Sequence, residues 1–175
     1  MRSDPAMLRL GRIHAGTIAL AAALGVPAVT SGEPSATPSA DASTTALAIC
    51  LQADELAGEE RRRVLVRGLE LAEDAVAADE LDAKAHFAVF CNLGKQMREA
   101  GTVRQSLAIG RLKRELDSAL ALDPDDPQLL VAKGAFLVEL PPVFGGDAER
   151  GKALLRAALA KDPSNRDARR YLGSP

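Results

Sequence analysis

Beyond the N-terminal segment, apolar residues recur at helical spacing and do not alternate as they would in a half-buried strand. The clearest run extends from Val103 to Leu120, where apolar side chains fall on one helical face. Residues that cap helix N-termini mark several boundaries: Asp126 precedes a proline, Asp147 follows two glycines, and Ser164 precedes the final helical stretch. The pattern predicts helices over residues 45–57, 61–78, 82–100, 103–122, 127–140, 148–161 and 165–172.

The first 28 residues carry the features of a secretory signal peptide. Arginines lie near its start, a short apolar run extends from about Thr17 to Val26, and small residues stand at the −3 and −1 positions of a cleavage site after Ala28. The apolar run is shorter than the roughly 20 residues of a membrane-spanning helix. We therefore expect cleavage of residues 1–28 and export to the periplasm of a bacterium, with an uncleaved membrane anchor as the alternative.

The composition changes after the predicted leader. Residues 29–43 are rich in Pro, Ser, Thr and Ala, which predicts a solvated linker, so the helical domain is expected over residues 44–175. Aromatic residues make up only 3% of the chain. Its core is therefore expected to consist of Ala, Leu and Val in closely packed helices. The formal net charge of −2 argues against a basic nucleic-acid-binding surface.

Three of the predicted helices end in the same pattern of residues. Ala75, Ala119 and Ala158 occupy matched positions, 44 and 39 residues apart. Gly94 and Gly134 match at a spacing of 40 residues. A period near 40 with two helices in each unit is typical of stacked helical repeats, in which small residues let neighbouring helices approach closely.

These matched positions resemble the tetratricopeptide repeat. The motifs that carry the likeness are Leu93-Gly94, Leu116-x-x-Ala119 with Asp123-Pro124, and Gly134, Leu155-x-x-Ala158 with Pro163. The turn from Leu140 to Asp147, with its paired prolines and Gly-Gly-Asp, is similar to the T-component of TRAP transporters, an exported tetratricopeptide-like family. The resemblance implies an all-α fold, a short right-handed α-solenoid of tetratricopeptide-like helix pairs. It also implies a transporter solute-binding subunit as partner, and possible assembly into a homo-oligomer.

No group of residues has the spacing of a catalytic or metal site. His86 and Cys91 are five residues apart, off the spacing of four that places two side chains on one helix face, so they are poor candidates for nucleophilic catalysis. The acidic run over 123–127 lacks the glycine and terminal glutamate of a calcium-binding loop. The turn over 145–147 predicts a helix cap, since its own aspartate would repel an anion. We expect a protein that is not an enzyme and needs no metal or cofactor.

The two cysteines leave two alternatives open. Cys50 and Cys91 lie on the first helices of consecutive predicted pairs, and an even number of cysteines in an exported chain permits one disulfide. The same residues could instead be two buried thiols that act as small core side chains.

The repeat register predicts which polar residues face a groove formed by the first helix of each pair. The candidate partner-binding residues are Lys95, Arg98, Glu99, Gln128 and Glu139. We expect an exported, non-enzymatic scaffold or adaptor that binds a protein or peptide partner through its concave face. The alternative is a carrier of a small apolar ligand in the cell envelope, with a pocket lined by Phe87, Phe90, Phe136 and Phe144.

Overall fold

The computed structural model of the chain describes residues 38–100 and 102–173, and these residues form α-helices, two short 3₁₀ turns and no strand. The expected all-α fold is confirmed for this part of the chain. The helices are α1 (Pro38–Gln52), α2 (Gly58–Ala78), α3 (Ala83–Arg98), α4 (Thr102–Leu122), α5 (Pro127–Glu139), α6 (Ala148–Lys161) and α7 (Arg166–Leu172). The 3₁₀ turns are Ala53–Glu55 and Pro142–Phe144. The predicted signal peptide, residues 1–28, lies outside the described residues.

Helix α1 begins earlier than the sequence pattern predicts. Residues 38–43, which the composition assigned to a linker, belong to this helix. Ser43, Ala46, Cys50 and Ala53 follow one another at helical spacing, and all four are buried. Small side chains at these positions let α1 lie close against its neighbours, and Ser43 is the one of them that falls within the predicted linker.

The helices pack mainly against their neighbours in sequence. Extensive contacts join α1 to α2, α3 to α4 and α5 to α6, while α7 packs against α6. Helix α1 also packs along α3, but the second and third pairs touch more lightly, through α4 and α5. The architecture therefore contains a tightly joined first half and a looser junction between the second and third pairs, where α4 meets α5.

The matched alanines have the role that the repeat pattern predicts. Ala75, Ala119 and Ala158 are at most 1% exposed, and Leu116 and Leu155 beside them are fully buried. Close helix packing on small side chains therefore builds the core, as the low aromatic content indicates.

The predicted helix caps Asp126 and Asp147 are confirmed. The Asp126 carboxylate accepts hydrogen bonds from the backbone at the start of α5, and Asp147 accepts one at the start of α6. The prediction for Ser164 is wrong. Asn165 caps α7 by accepting a hydrogen bond from the Ala168 amide, because Ser164 is bonded to Asp162.

The apolar stripe of α4 is buried over only part of its length. Val103 and Leu107 are 75% and 80% exposed, whereas Leu112 is 6% exposed. The first turns of this helix present Gln105 and Ile109 to a groove described below. The spacing therefore identifies the helix correctly but assigns its first two turns to the wrong face.

An ion pair between the buried Lys133 and the half-exposed Asp117 joins α4 to α5 across the looser junction. Lys133 is only 4% exposed, and its ammonium lies 2.5 Å from the Asp117 carboxylate, whose side chain is 49% exposed. Removing one partner of a buried pair leaves the other charge without compensation, which costs more than removing both.

We expect Asp117→Ala to lower the free energy of unfolding by about 2 kcal/mol, because it strands the Lys133 ammonium and the partner is half exposed. In a Lys133→Met background the same Asp117→Ala change should cost less than about 0.5 kcal/mol. Urea unfolding of the four proteins measures both costs. Equal costs in the two backgrounds would mean that the ion pair does not stabilise the junction.

Candidate functional site

A groove opens between α3 and α5 where these two helices separate. It has a volume of about 920 Å³ and is lined by residues from α1, α3, α4, α5, α7 and both 3₁₀ turns. We call it the α3–α5 groove. Its volume falls within the roughly 300–1,000 Å³ range of sites that bind small organic molecules.

The four phenylalanines of the chain all line this groove. Phe90 of α3 and Phe136 of α5 meet edge to face, with ring centroids 5.6 Å apart, and Phe87 stacks on Phe90 at 6.2 Å. Phe144 is 43% exposed at the rim, with Leu51, which is 54% exposed, also lining the groove. The chain has few aromatic residues, and its phenylalanines are all concentrated in one apolar surface that is open to solvent.

Charged residues lie at the end of the groove formed by the C-terminal ends of α1, α3 and α5. Lys95 in the last turn of α3 donates to the Cys50 carbonyl at 2.7 Å and lies 2.7 Å from an Asp54 carboxylate oxygen. The long side chain of Lys95 therefore ties the end of α1 to the end of α3 while lining the groove.

The pKa of Asp54 lies below its usual value. Partial burial alone would raise this pKa, but the hydrogen bond from Lys95 and the positive charges of Lys95, Arg61 and Arg98 lower it. A depressed carboxyl pKa contributes stability above the unfolded value and loses it as the pH falls through the folded value. The contribution is small because the Asp54 side chain is 63% exposed.

Helix α7 closes the charged end of the groove. The Tyr171 hydroxyl donates a hydrogen bond to the Glu139 carboxylate at the end of α5, and Arg170 stacks on the Tyr171 ring at 5.5 Å. Burial, the hydrogen bond to Glu139 and the negative charge of Glu139 raise the pKa of Tyr171, against the opposing charges of Arg98 and Arg170. The phenol therefore stays protonated and continues to donate to Glu139 throughout the neutral pH range.

Four of the five predicted partner-binding residues line the α3–α5 groove. They are Lys95, Arg98, Gln128 and Glu139. The fifth, Glu99, does not line it: its carboxylate lies 2.8 Å from the Arg61 guanidinium on α2. Glu99 is the C-cap of α3, so its side chain leaves the helix in a different direction from that of Arg98.

Several residues that line the groove were not predicted from the sequence. Asp54, Arg170 and Tyr171 line the groove from the first 3₁₀ turn and the final helix. Asp54 falls in the predicted helix 45–57, which is the first helix of its pair, but the repeat register is carried only from Gly94 and Gly134. That register therefore reaches neither Asp54 nor the final helix, which has no partner helix in the repeat.

The structure joins Cys50 and Cys91 in a disulfide, with Cα atoms 6.1 Å apart. This resolves the two alternatives that the sequence left open. Cys50 is fully buried, while Cys91 lines the groove, so the bridge fastens α1 directly behind one groove wall. His86 does not contact Cys91; its ring nitrogens lie 2.8 Å from the Glu115 carboxylate and 3.0 Å from the Glu80 carbonyl.

Within the described part of the chain, no group of three or more His, Cys, Asp or Glu side chains is arranged to hold a metal ion. Among the helices of residues 38–100 and 102–173, none combines the length and the apolar character needed to span a membrane.

No protein-family model matches the sequence, and no curated protein matches it.

Proposed function

We propose that the protein is an exported, non-enzymatic scaffold of tetratricopeptide-like helix pairs that binds a segment of a partner protein in the α3–α5 groove. The observation that carries the proposal is the convergence of Lys95, Arg98, Gln128 and Glu139, from two different helices, on one groove. In this proposal the pairs stack as a short right-handed solenoid, and the groove is its concave binding surface.

The chemistry of the groove favours a peptide segment. Its apolar middle offers space for aromatic or aliphatic anchor side chains, and its rim presents both cations and carboxylates. Exposed Leu51 and Phe144 at the mouth extend the apolar surface that a partner would cover. Recognition would then combine buried apolar anchors with charge pairing at the rim.

The resemblance to the T-component of TRAP transporters supports a particular class of partner. A protein of this kind acts beside a transporter, and its partner would be the solute-binding subunit in the periplasm. Self-association into a homo-oligomer is compatible with the same proposal, since a short solenoid leaves terminal helix faces uncovered.

The test is a crosslinked pull-down of the full-length protein from its own cell envelope, with two charge-reversal variants. We expect one stoichiometric protein partner, and at least tenfold weaker capture by Arg98→Glu, because that change reverses a charge on the groove wall. Arg62→Glu is the matched control, because Arg62 lies on α2, does not line the groove and is ion-paired with Glu59. Equal capture by both variants would contradict a partner site in the groove.

A carrier of a small apolar ligand is the second candidate function. The observation that favours it is that all four phenylalanines line one groove of about 920 Å³. Native mass spectrometry of the purified protein distinguishes the two functions, because a carrier retains a lipid or metabolite where an adaptor retains a protein.

A further inference from the structure

The α3–α5 groove is polarised along its length. Its middle is apolar, built around Phe87, Phe90 and Phe136. Its charged lining residues gather at one end, where α1, α3 and α5 terminate and α7 packs; they are Asp54, Lys95, Arg98, Glu139, Asp167 and Arg170. A surface that is apolar along most of its length and charged at one end is complementary to an amphiphile with a polar head.

Two of the three cations at the charged end are already paired. Lys95 lies 2.7 Å from Asp54, and Arg170 lies 3.2 Å from Asp167. Among the described residues that line the groove, Arg98 is the cation that makes no ion pair. Arg98 is an exposed residue, so it is accessible to a ligand in the groove.

Among the carboxylates at the charged end of the groove, Glu139 is the one without a cationic partner in the described part of the chain. It accepts a hydrogen bond from Tyr171. Arg98 and Glu139 both lie close enough to Tyr171 to act on its pKa, in opposite directions. Arg98 and Glu139 also line the same groove as Tyr171, so an unpaired cation and an unpaired anion both face its charged end.

We infer that the groove binds a single-chain amphiphile with a zwitterionic head group, such as a lysophospholipid that carries phosphate and ammonium. The acyl chain lies along the phenylalanines, the phosphate pairs with Arg98, and the ammonium pairs with Glu139. This inference rests on the carrier function, the second candidate proposed above.

A purely anionic head fits less well. A fatty-acid carboxylate at Arg98 would lie near Asp54 and Glu139, and it would leave Glu139 without a cation. A head with an added ammonium neutralises Glu139 and satisfies both unpaired groups together.

Binding is measured with the full-length protein, after removal of bound lipid, by isothermal titration with palmitoyl lysophosphatidylethanolamine below its micelle concentration. Palmitoyl lysophosphatidylglycerol, which has the same chain and phosphate without the ammonium, is the matched probe. We expect the ethanolamine lipid to bind about tenfold more tightly. Glu139→Gln should remove that preference, and Arg98→Gln should weaken both lipids about tenfold. Glu149→Gln, at a side chain that is 81% exposed on α6, should change neither.

The outcomes distinguish a failure of the head-group inference from a failure of the carrier function. If both lipids and uncharged hexadecanol bind equally, and neither groove variant changes them, the head-group inference is wrong while the carrier function stands. If no single-chain probe binds, the carrier function itself fails, and the groove is left to the proposed peptide partner.

Discussion

Gly151→Ala is expected to lower the free energy of unfolding by about 3 kcal/mol, one of the two largest losses we expect from any change described here. A Cβ atom at position 151 would lie 2.6 Å from the Gly134 carbonyl oxygen and 2.8 Å from a Val138 methyl carbon. The reciprocal change, Gly134→Ala, would bring its Cβ 2.7 Å from Leu155 Cγ and 2.8 Å from the Gly151 carbonyl oxygen. Since half of these contacts are backbone, α5 and α6 would have to move apart.

The matched control is the same substitution on an exposed helix. At Gly110 the nearest atom to a new Cβ is the end of the Arg114 side chain, 3.8 Å away. Gly110→Ala should therefore raise stability by about 0.5–1 kcal/mol through helix propensity alone. Thermal unfolding followed by circular dichroism measures the contrast, with a loss of roughly 10 °C expected for Gly151→Ala. Changes of the same sign at both positions would show that α5 and α6 do not depend on a glycine crossing.

The glycines also show where repeat patterns mislead. Gly94 and Gly134 occupy matched sequence positions, yet a Cβ at Gly94 meets only Leu112, at 3.7 Å. Gly134 lies at a helix crossing because α6 supplies a second glycine, Gly151, opposite it. A motif position records which residue recurs, but the partner helix decides whether its small size is required.

Local features of the fold were largely predictable from the sequence. The helices from α2 onward begin and end within a few residues of the predicted boundaries, because caps such as Asp126 and Asp147 act on the adjacent turn. The start of α1 was not predictable from composition. Its buried face consists of residues such as Ser43 and Ala46, which are equally common in linkers.

Only the part of the candidate site that lies on the repeat helices α3 and α5 was predictable from the sequence. Lys95, Arg98, Gln128 and Glu139 reach the groove because helical periodicity fixes their direction. Tyr171 joins them because α7 folds back against α5 and α6, a tertiary contact without a local signal. The sparse packing between α3 and α5, which leaves the groove between them, is likewise a property of contacts between distant residues.

Removing the Cys50–Cys91 disulfide is expected to have an effect as large as that of the glycine crossing. The bridge closes a loop with a sequence separation of 41 residues, for which the loss of chain entropy in the unfolded state predicts about 4 kcal/mol. The double variant Cys50→Ala/Cys91→Ala removes the bridge without leaving an unpaired thiol. Other contacts still join α1 to α3, including the hydrogen bonds from Asn92 to the Ala46 carbonyl and from Lys95 to the Cys50 carbonyl. The variant should therefore remain folded but unfold at a lower urea concentration.

Reduction distinguishes the stability contributed by the disulfide bond from the stability contributed by packing of the sulfur atoms. Dithiothreitol should lower the stability of the native protein by most of the same 4 kcal/mol, and it should leave the double alanine variant unchanged. Any difference between the reduced native protein and the variant measures the cavity left by the fully buried Cys50 side chain. A native protein equally stable with and without reductant would mean that the bridge does not constrain the unfolded chain. The attachment of α1 would then depend on its small-residue packing face alone.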